Sequence, residues 1–264
     1  MITCGNLFCG CLAIVWVFRG SLTITALLVG IAAILDFFDG FVARLLKVGG
    51  EMGKQLDSLA DMVTFGVVPG AVMWKLLALS YGSEIYFSHT AGFSIAAFLV
   101  PYLGFVITIF SGLRLAKFNI DTRQTTSFIG VPTPANSILI CSIPLILHFN
   151  FHFHGGEYFA FQSRESMSEL FTKGDAPAWI ILNKYVLLSL TALMSYLLVA
   201  ELPLFALKFK NFGWADNKIR YSFLIISVIL LILFQFIAIP FIIFLYIIMS
   251  VISNLMNRTR TPEH

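Results

Sequence analysis

Asp36-Phe37-Phe38-Asp39-Gly40-Phe41-Val42-Ala43-Arg44 and, one short loop later, Gly53-Lys54-Gln55-Leu56-Asp57-Ser58-Leu59-Ala60-Asp61 place four aspartates inside a very apolar chain. On a helix, Asp36, Asp39, Gly40, Ala43 and Arg44 fall at i, i+3, i+4, i+7 and i+8, which is one stripe. Gly53, Asp57 and Asp61 fall at i, i+4 and i+8, again one stripe. Two neighbouring helices would therefore aim two carboxylates each at a shared point. Beside lipid such a cluster calls for cations, because like charges repel and burial strips their water. Hard oxygen ligands suit magnesium, manganese or calcium rather than zinc.

The rest of the chain agrees with a membrane setting. Hydrophobic residues make up 58 % of the 264 and charged residues 12 %, with a mean hydropathy of +0.89. A soluble domain carries about 25 % charged residues, so that class is excluded. At roughly 20 residues per span the length allows six to eight membrane helices in one domain over residues 1–264. Apolar segments at 7–18, 21–43, 56–81, 92–113, 128–149, 184–207, 221–237 and 239–255 predict an all-α polytopic bundle of eight spans. The last two are divided only near Ala238-Ile239-Pro240, which reads as a tight hairpin or as one broken helix.

Basic residues then give an orientation. Twelve of the seventeen fall on one side, Arg44, Lys47, Lys54, Arg114, Lys117 and Arg258 among them. Arg19, Lys75, Arg164, Lys173 and Lys184 fall on the other. The positive side reads as cytoplasmic, and it holds all four aspartates. The longest non-membrane stretch, about 151–183, then lies outside the cell. The net charge of +3 is modest and points to no nucleic-acid partner. No basic stretch precedes the first apolar run at Leu7, so no cleavable leader is expected. Cys4, Cys9, Cys11 and Cys141 lie in or beside apolar runs and are expected to pack as free thiols.

The two stripes together spell D-x-x-D-G-x-x-A-R, eight residues, G-x-x-x-D-x-x-x-D. This pattern resembles the CDP-alcohol phosphatidyltransferase family, integral membrane enzymes of phospholipid synthesis. The resemblance implies transfer of a phosphatidyl group from CDP-diacylglycerol to an alcohol, with release of CMP. It implies Asp36, Asp39, Asp57 and Asp61 as ligands of magnesium or manganese, as two ions, and Asp61 as general base for the acceptor hydroxyl. It further implies that CDP-diacylglycerol is held by Asn6, Gly40, Ala43, Arg44, Gly50 and Gly53. Arg44 supplies a permanent cation for phosphate. For Gly40, Ala43 and Gly53, close helix packing is an equal alternative to nucleotide approach. Gly50 stands where many relatives have Ser or Thr, although the loop Lys47-Val48-Gly49-Gly50 could offer backbone N–H groups to a phosphate.

Three more stretches resemble the serine-using branch of that family: Asn6-Leu7-Phe8-Cys9-Gly10, Ser111-Gly112-Leu113-Arg114-Leu115-Ala116-Lys117-Phe118-Asn119, and Gly130-Val131-Pro132-Thr133-Pro134-Ala135-Asn136. L-serine is therefore the expected acceptor and phosphatidylserine the product. Its carboxylate needs a cation, for which Arg114 is the candidate, with Thr133 and Asn136 as polar neighbours. Arg114 and Lys117 also read as anchors to lipid head groups, and a phosphate-bearing acceptor such as glycerol 3-phosphate or inositol phosphate would want them too. The resemblance also implies a homodimer in a bacterial cell membrane.

Smaller signals carry smaller readings. Histidines 148, 152 and 154 read as an interfacial belt with their aromatic neighbours, since no carboxylate or Cys completes a metal site there. Glu201 reads as lying near the inner end of the sixth span, lining a cavity or reaching water. A cation transporter would also use intramembrane carboxylates, but it would place them near the midplane within inverted repeats, and none is visible.

Overall fold

The computed structural model describes residues 2–46, 50–81, 95–120, 127–150, 180–205 and 213–258. Most of the 151–183 stretch, with His152 and His154, lies outside them. The described chain is helical apart from one short ribbon. Helix α1 (Ile2–Arg19) turns into α2 (Leu22–Leu46). Gly20 takes φ +89, its N–H reaches Val17 O at 3.1 Å and the Ser21 N–H reaches Trp16 O at 3.1 Å. That pair of bonds closes the helix end, and glycine is the residue that tolerates the left-handed backbone it needs. The two helices then pack antiparallel through Ala13, Val17, Ala26 and Val29.

A long rod follows: α3 (Glu51–Asp61), a π turn (Met62–Val67) and α4 (Val68–Ser80). It begins five residues before the predicted 56, with Gly50 extended at its N-cap. Next come α5 (Ile95–Leu99), a 3₁₀ stretch (Val100–Phe105) and α6 (Val106–Ile120). Pro101 donates no backbone N–H, which suits it to a tightened turn. Gly104 lies against the backbone of Met73 and Trp74, where a Cβ would clash. The helix runs on to Ile120 rather than ending at 113, so Arg114, Lys117 and Asn119 project from its last turns.

Strand β1 (Ser127–Ile129) leads to α7 (Thr133–Leu145), which loosens into a π turn (Ile146–Asn150) just after Pro144. Proline cannot donate to the carbonyl four residues back, and the helix adjusts there. Helix α8 (Lys184–Val199) is capped by Asn183, whose side chain accepts from the Tyr185 N–H at 2.9 Å. It stops at Val199 instead of the predicted 207, because Pro203 disfavours helix in the residue before it. The chain there becomes β2 (Pro203–Phe205), antiparallel to β1 with Phe128 opposite Leu204. No strand was expected from the sequence.

The C-terminal pair is a hairpin. Helix α9 (Trp214–Phe234) passes through a 3₁₀ turn (Gln235–Ile237) into α10 (Ala238–Arg258). The rings of Phe223 and Tyr246 meet at 5.7 Å, which folds the two helices back on each other. The break falls at Gln235, with φ 49, a few residues before the predicted division.

The core sits around the α3–α4 rod, where Phe65, Met73, Leu76 and Leu77 are fully buried against Ile107, Ile140, Leu187 and Met194. The outer faces are apolar too, with Phe37, Leu45 and Ile232 widely exposed. Among the described residues, five segments are long and apolar enough to cross a membrane: Ile2–Arg19, Leu22–Ala43, Glu51–Ser80, Val100–Ile120 and Asn217–Asn254. The last contains the hairpin, and α8 is shorter than this measure requires. An apolar exterior on such helices is that of an integral membrane protein.

Candidate active site

Helix α1 brings one polar face to the aspartates. Thr3, Asn6 and Gly10 recur at i, i+3 and i+7, all buried. The Thr3 hydroxyl donates to Asp39 Oδ2, and Asn6 Nδ2 donates to Asp61 Oδ1 at 3.3 Å. The Asn6 backbone carbonyl accepts from Thr64 Oγ1 at 3.1 Å. Gly10 lies against Thr64, where any side chain would collide. Thr64 belongs to the π turn, and on its other side Thr108 Oγ1 donates to Gly66 O at 2.9 Å. The turn that follows Asp61 is therefore tied to α1 and to α6. π turns of this kind concentrate at functional sites.

One carboxylate oxygen from each of Asp36, Asp57 and Asp61 lies within 4.8 Å of the others, and all three residues are half-buried. At an effective dielectric of 20, two unit charges at such a separation repel by about 3 kcal/mol. Three pairs are a heavy cost unless a cation sits among them. The donors are all oxygen, which fits magnesium or manganese. Asp39 stands at the edge of this group, bonded to Thr3 and within electrostatic reach of Asp36 and Asp57.

The small residues around the cluster leave space. Gly40 and Ala43 are half-buried on α2, and Gly50 and Gly53 are exposed at the start of α3. Among the described residues, a Cβ on Gly50 or Gly53 would meet no protein atom. Helix packing therefore does not account for Gly53, and approach of a ligand still can. Arg44 continues the α2 stripe, but its side chain and residues 47–49 lie outside the described residues. Along α2 from Phe37 and Phe38 down to Ala26 runs an apolar groove of about 490 Å³. Gly30 and Ala33 form one wall, with Cys141 and Leu145 of α7 opposite.

Arg114 points inward and is 7 % exposed. Its Nη1 donates to Thr133 Oγ1 at 3.3 Å, its guanidinium lies 5.6 Å from the Phe118 ring centre, and its charge acts on Asp61. Nε has no partner. Asn136, one turn beyond Thr133, is fully buried, and among the described residues neither its amide nitrogen nor its amide oxygen finds a partner. Each buried polar atom left unpaired costs about 1–3 kcal/mol, so a polar ligand reaching these atoms would recover a large penalty. The structure thus gathers Arg114, Thr133 and Asn136 beside the aspartates. Ser58, between Asp57 and Asp61 on α3, exchanges bonds with Asn119 on α6, Asn119 Nδ2 donating to Ser58 Oγ at 2.9 Å.

Thr3, Thr64 and Thr108 were missed by the sequence reading. The i, i+3, i+7 face of α1 was the available signal for Thr3. Glu201 needs correction: it lies beyond the end of α8, exposed, because the helix gives way to the ribbon before reaching it. It pairs with Lys117 at 3.1 Å. All four cysteines are free.

A family model described as CDP-alcohol phosphatidyltransferase matches residues 1–163. The chain is 38 % identical over 138 residues to the CDP-diacylglycerol–serine O-phosphatidyltransferase of Bacillus subtilis (strain 168), covering 51 % of this chain and 67 % of that one. It is 32 % identical over 158 residues to the enzyme of the same name in Helicobacter pylori (strain J99), covering 59 % and 60 %. It is also 32 % identical over 143 residues to the archaetidylserine synthase of Methanothermobacter thermautotrophicus, covering 53 % and 54 %. The matches thus span between about half and two thirds of these relatives' length. The family match contains Asp36, Asp39, Asp57 and Asp61 together with Arg114, Thr133 and Asn136, and it ends before α8.

Proposed function

This chain belongs to the CDP-alcohol phosphatidyltransferase family, and on that premise we propose that it transfers the phosphatidyl group of CDP-diacylglycerol to L-serine, forming phosphatidylserine and CMP. The observation that carries the reading is the junction of two sites. The three-carboxylate group adjoins a buried pocket whose arginine and unbonded asparagine amide suit a small zwitterion. Three of the relatives it resembles use serine or make a serine lipid, by their names.

Asp36, Asp57 and Asp61, with Asp39 beside them, would hold magnesium or manganese, as two ions, and a divalent cation bound there would neutralise charge on the pyrophosphate. Arg44 adds a fixed cation at the end of the α2 stripe. Gly40, Ala43, Gly50 and Gly53 leave the nucleotide room, with Asn6 behind Asp61. One acyl chain of the donor occupies the groove beside Gly30, which is continuous with Phe37 and Phe38 next to Asp36 and Asp39.

Arg114 holds the serine carboxylate, and Thr133 and Asn136 orient the remainder. Asp61 takes the proton of the serine hydroxyl. The serine oxygen then forms a bond to the diacylglycerol-linked phosphorus, the bond from that phosphorus to the pyrophosphate bridge breaks, and CMP leaves with the electron pair. Asn6, bonded to Asp61 Oδ1, fixes the orientation of that carboxylate. The setting is a bacterial cell membrane crossed eight times, with the aspartates at the cytoplasmic face and the protein a homodimer.

The test is an acceptor panel. Purified protein, CDP-diacylglycerol and a divalent cation are given serine, glycerol 3-phosphate, inositol or inositol phosphate in turn, and CMP is measured. Serine should be strongly preferred. Preference for glycerol 3-phosphate would overturn the acceptor assignment while leaving the chemistry standing.

A further inference from the structure

Arg114 and Lys117 stand three residues apart on α6, hence on one face and about 4.5 Å apart along the axis. Their surroundings differ sharply. Arg114 is buried against Thr133, whereas the Lys117 side chain is 39 % exposed and meets Glu201 Oε1 at 3.1 Å. An exposed pair of this kind adds little to stability. Yet the chain around Glu201 is held with unusual care.

Glu201 occupies the step between the end of α8 and β2. The Gly130 N–H donates to Leu202 O at 3.0 Å, and the Val131 N–H donates to Leu197 O at 3.0 Å. Gly130 has φ +75 and lies on the carbonyls of Leu198 and Ala200, where a Cβ would clash. The β1–β2 ribbon and a bond from Asn254 Nδ2 to Pro203 O hold the other side. Three residues after Gly130 comes Thr133, the partner of Arg114. One short stretch of backbone therefore sets Thr133 against Arg114 and Glu201 against Lys117.

The consequence is a matter of charge. A phosphate monoester carries about −1.5 to −2 at neutral pH and is best met by two cations. A zwitterionic amino acid presents a single carboxylate and is met by one. We propose that Glu201 is a specificity-determining residue: by occupying Lys117 it leaves Arg114, among the described residues, as the cation of that face outside a salt bridge, and so it discriminates against phosphate-bearing acceptors. This rests on the pocket being the acceptor site proposed above. Glu201 acts through Lys117 and through direct repulsion of a dianion; it touches neither the reacting hydroxyl nor the phosphorus.

The experiment measures, at low ionic strength, the ratio of the serine KM to the inhibition constant of glycerol 3-phosphate, with CMP release as readout. In Glu201→Gln, Lys117 is released, and glycerol 3-phosphate should inhibit roughly five- to tenfold more strongly relative to serine. The gap should shrink at high salt, where exposed charges are screened. Lys117→Gln leaves Glu201 unmatched and should shift the ratio the opposite way. The double variant should return near the parent. An unchanged ratio in both single variants overturns the proposal, as does a Glu201→Gln protein that loses serine affinity without gaining affinity for glycerol 3-phosphate. If the unaltered protein itself prefers glycerol 3-phosphate, the serine reading falls instead, so the two failures are distinguishable.

Discussion

The α3–α4 rod and the α9–α10 hairpin are both apolar helices of membrane-crossing length, yet they face different solvents. In the rod 61 % of the most apolar stretch is buried, against 11 % in the hairpin. The rod is crossed by glycine contacts and side-chain hydrogen bonds from α1 and α6. The hairpin shows Ile225, Val228, Ile232 and Leu233 outward. Mean hydropathy runs opposite to burial, 1.7 in the rod against 3.0 in the hairpin. Water is absent on both sides, so what marks the inner helix is small and polar residues at contact points, not greater apolarity. The family match agrees, ending before the hairpin begins.

Four changes test how deep that contrast goes. Asp36→Asn, Asp57→Asn or Asp61→Asn should each lower kcat by several orders of magnitude, and excess chelator should abolish turnover until magnesium or manganese is restored. Full activity in chelator would break the reading of the cluster. Arg114→Ala should raise the serine KM tens-fold or more, a cost of about 2–5 kcal/mol, while the CDP-diacylglycerol KM changes little. Weakening of the donor alone would move Arg114 to the lipid phosphate. Gly104→Val forces a branched side chain into the backbone of Met73 and Trp74, and should destabilise the fold by about 3 kcal/mol, seen as a lowered thermal midpoint in detergent. On the hairpin, Ile232→Ala trims a side chain that is 74 % exposed and should stay within about 0.5 kcal/mol of the parent. An equal loss at Gly104 and Ile232 would erase the contrast between the two regions.

Much of the aspartate site was legible in the sequence because its residues sit on two helical stripes, and helical spacing is local information. Asp36, Asp57 and Asp61 could be brought together on paper. The pocket formed by Arg114, Thr133 and Asn136 was reachable only through resemblance, since α6 and α7 meet by tertiary packing that no periodicity encodes. Thr64 and Thr108 were hidden for a different reason. Their value depends on a π turn, and a turn with one residue too many leaves no mark in an apolar pattern. The ribbon was equally silent: three residues a side, one strand inside a segment that reads as membrane helix. Glu201 was misplaced with it, because Pro203 was not weighed as a stop signal for α8.

The π turn between Asp61 and Val68 has a further consequence for how this chain can change over time. A helix is a screw, and one residue more or less rotates everything beyond it by about 100°. The π turn Met62–Val67 absorbs one extra residue by widening, so the half that carries Asp57 and Asp61 keeps its phase with the half that buries Met73, Leu76 and Leu77. Deleting one residue there would restore regular geometry and remove a local irregularity. It would also remove the wide turn in which Thr64 Oγ1 meets Asn6 O and Thr108 Oγ1 meets Gly66 O, and with it the ties to α1 and α6. Substitutions in this segment can be gradual, but its length is locked: between the chemistry and the core, the number of residues is itself the functional element.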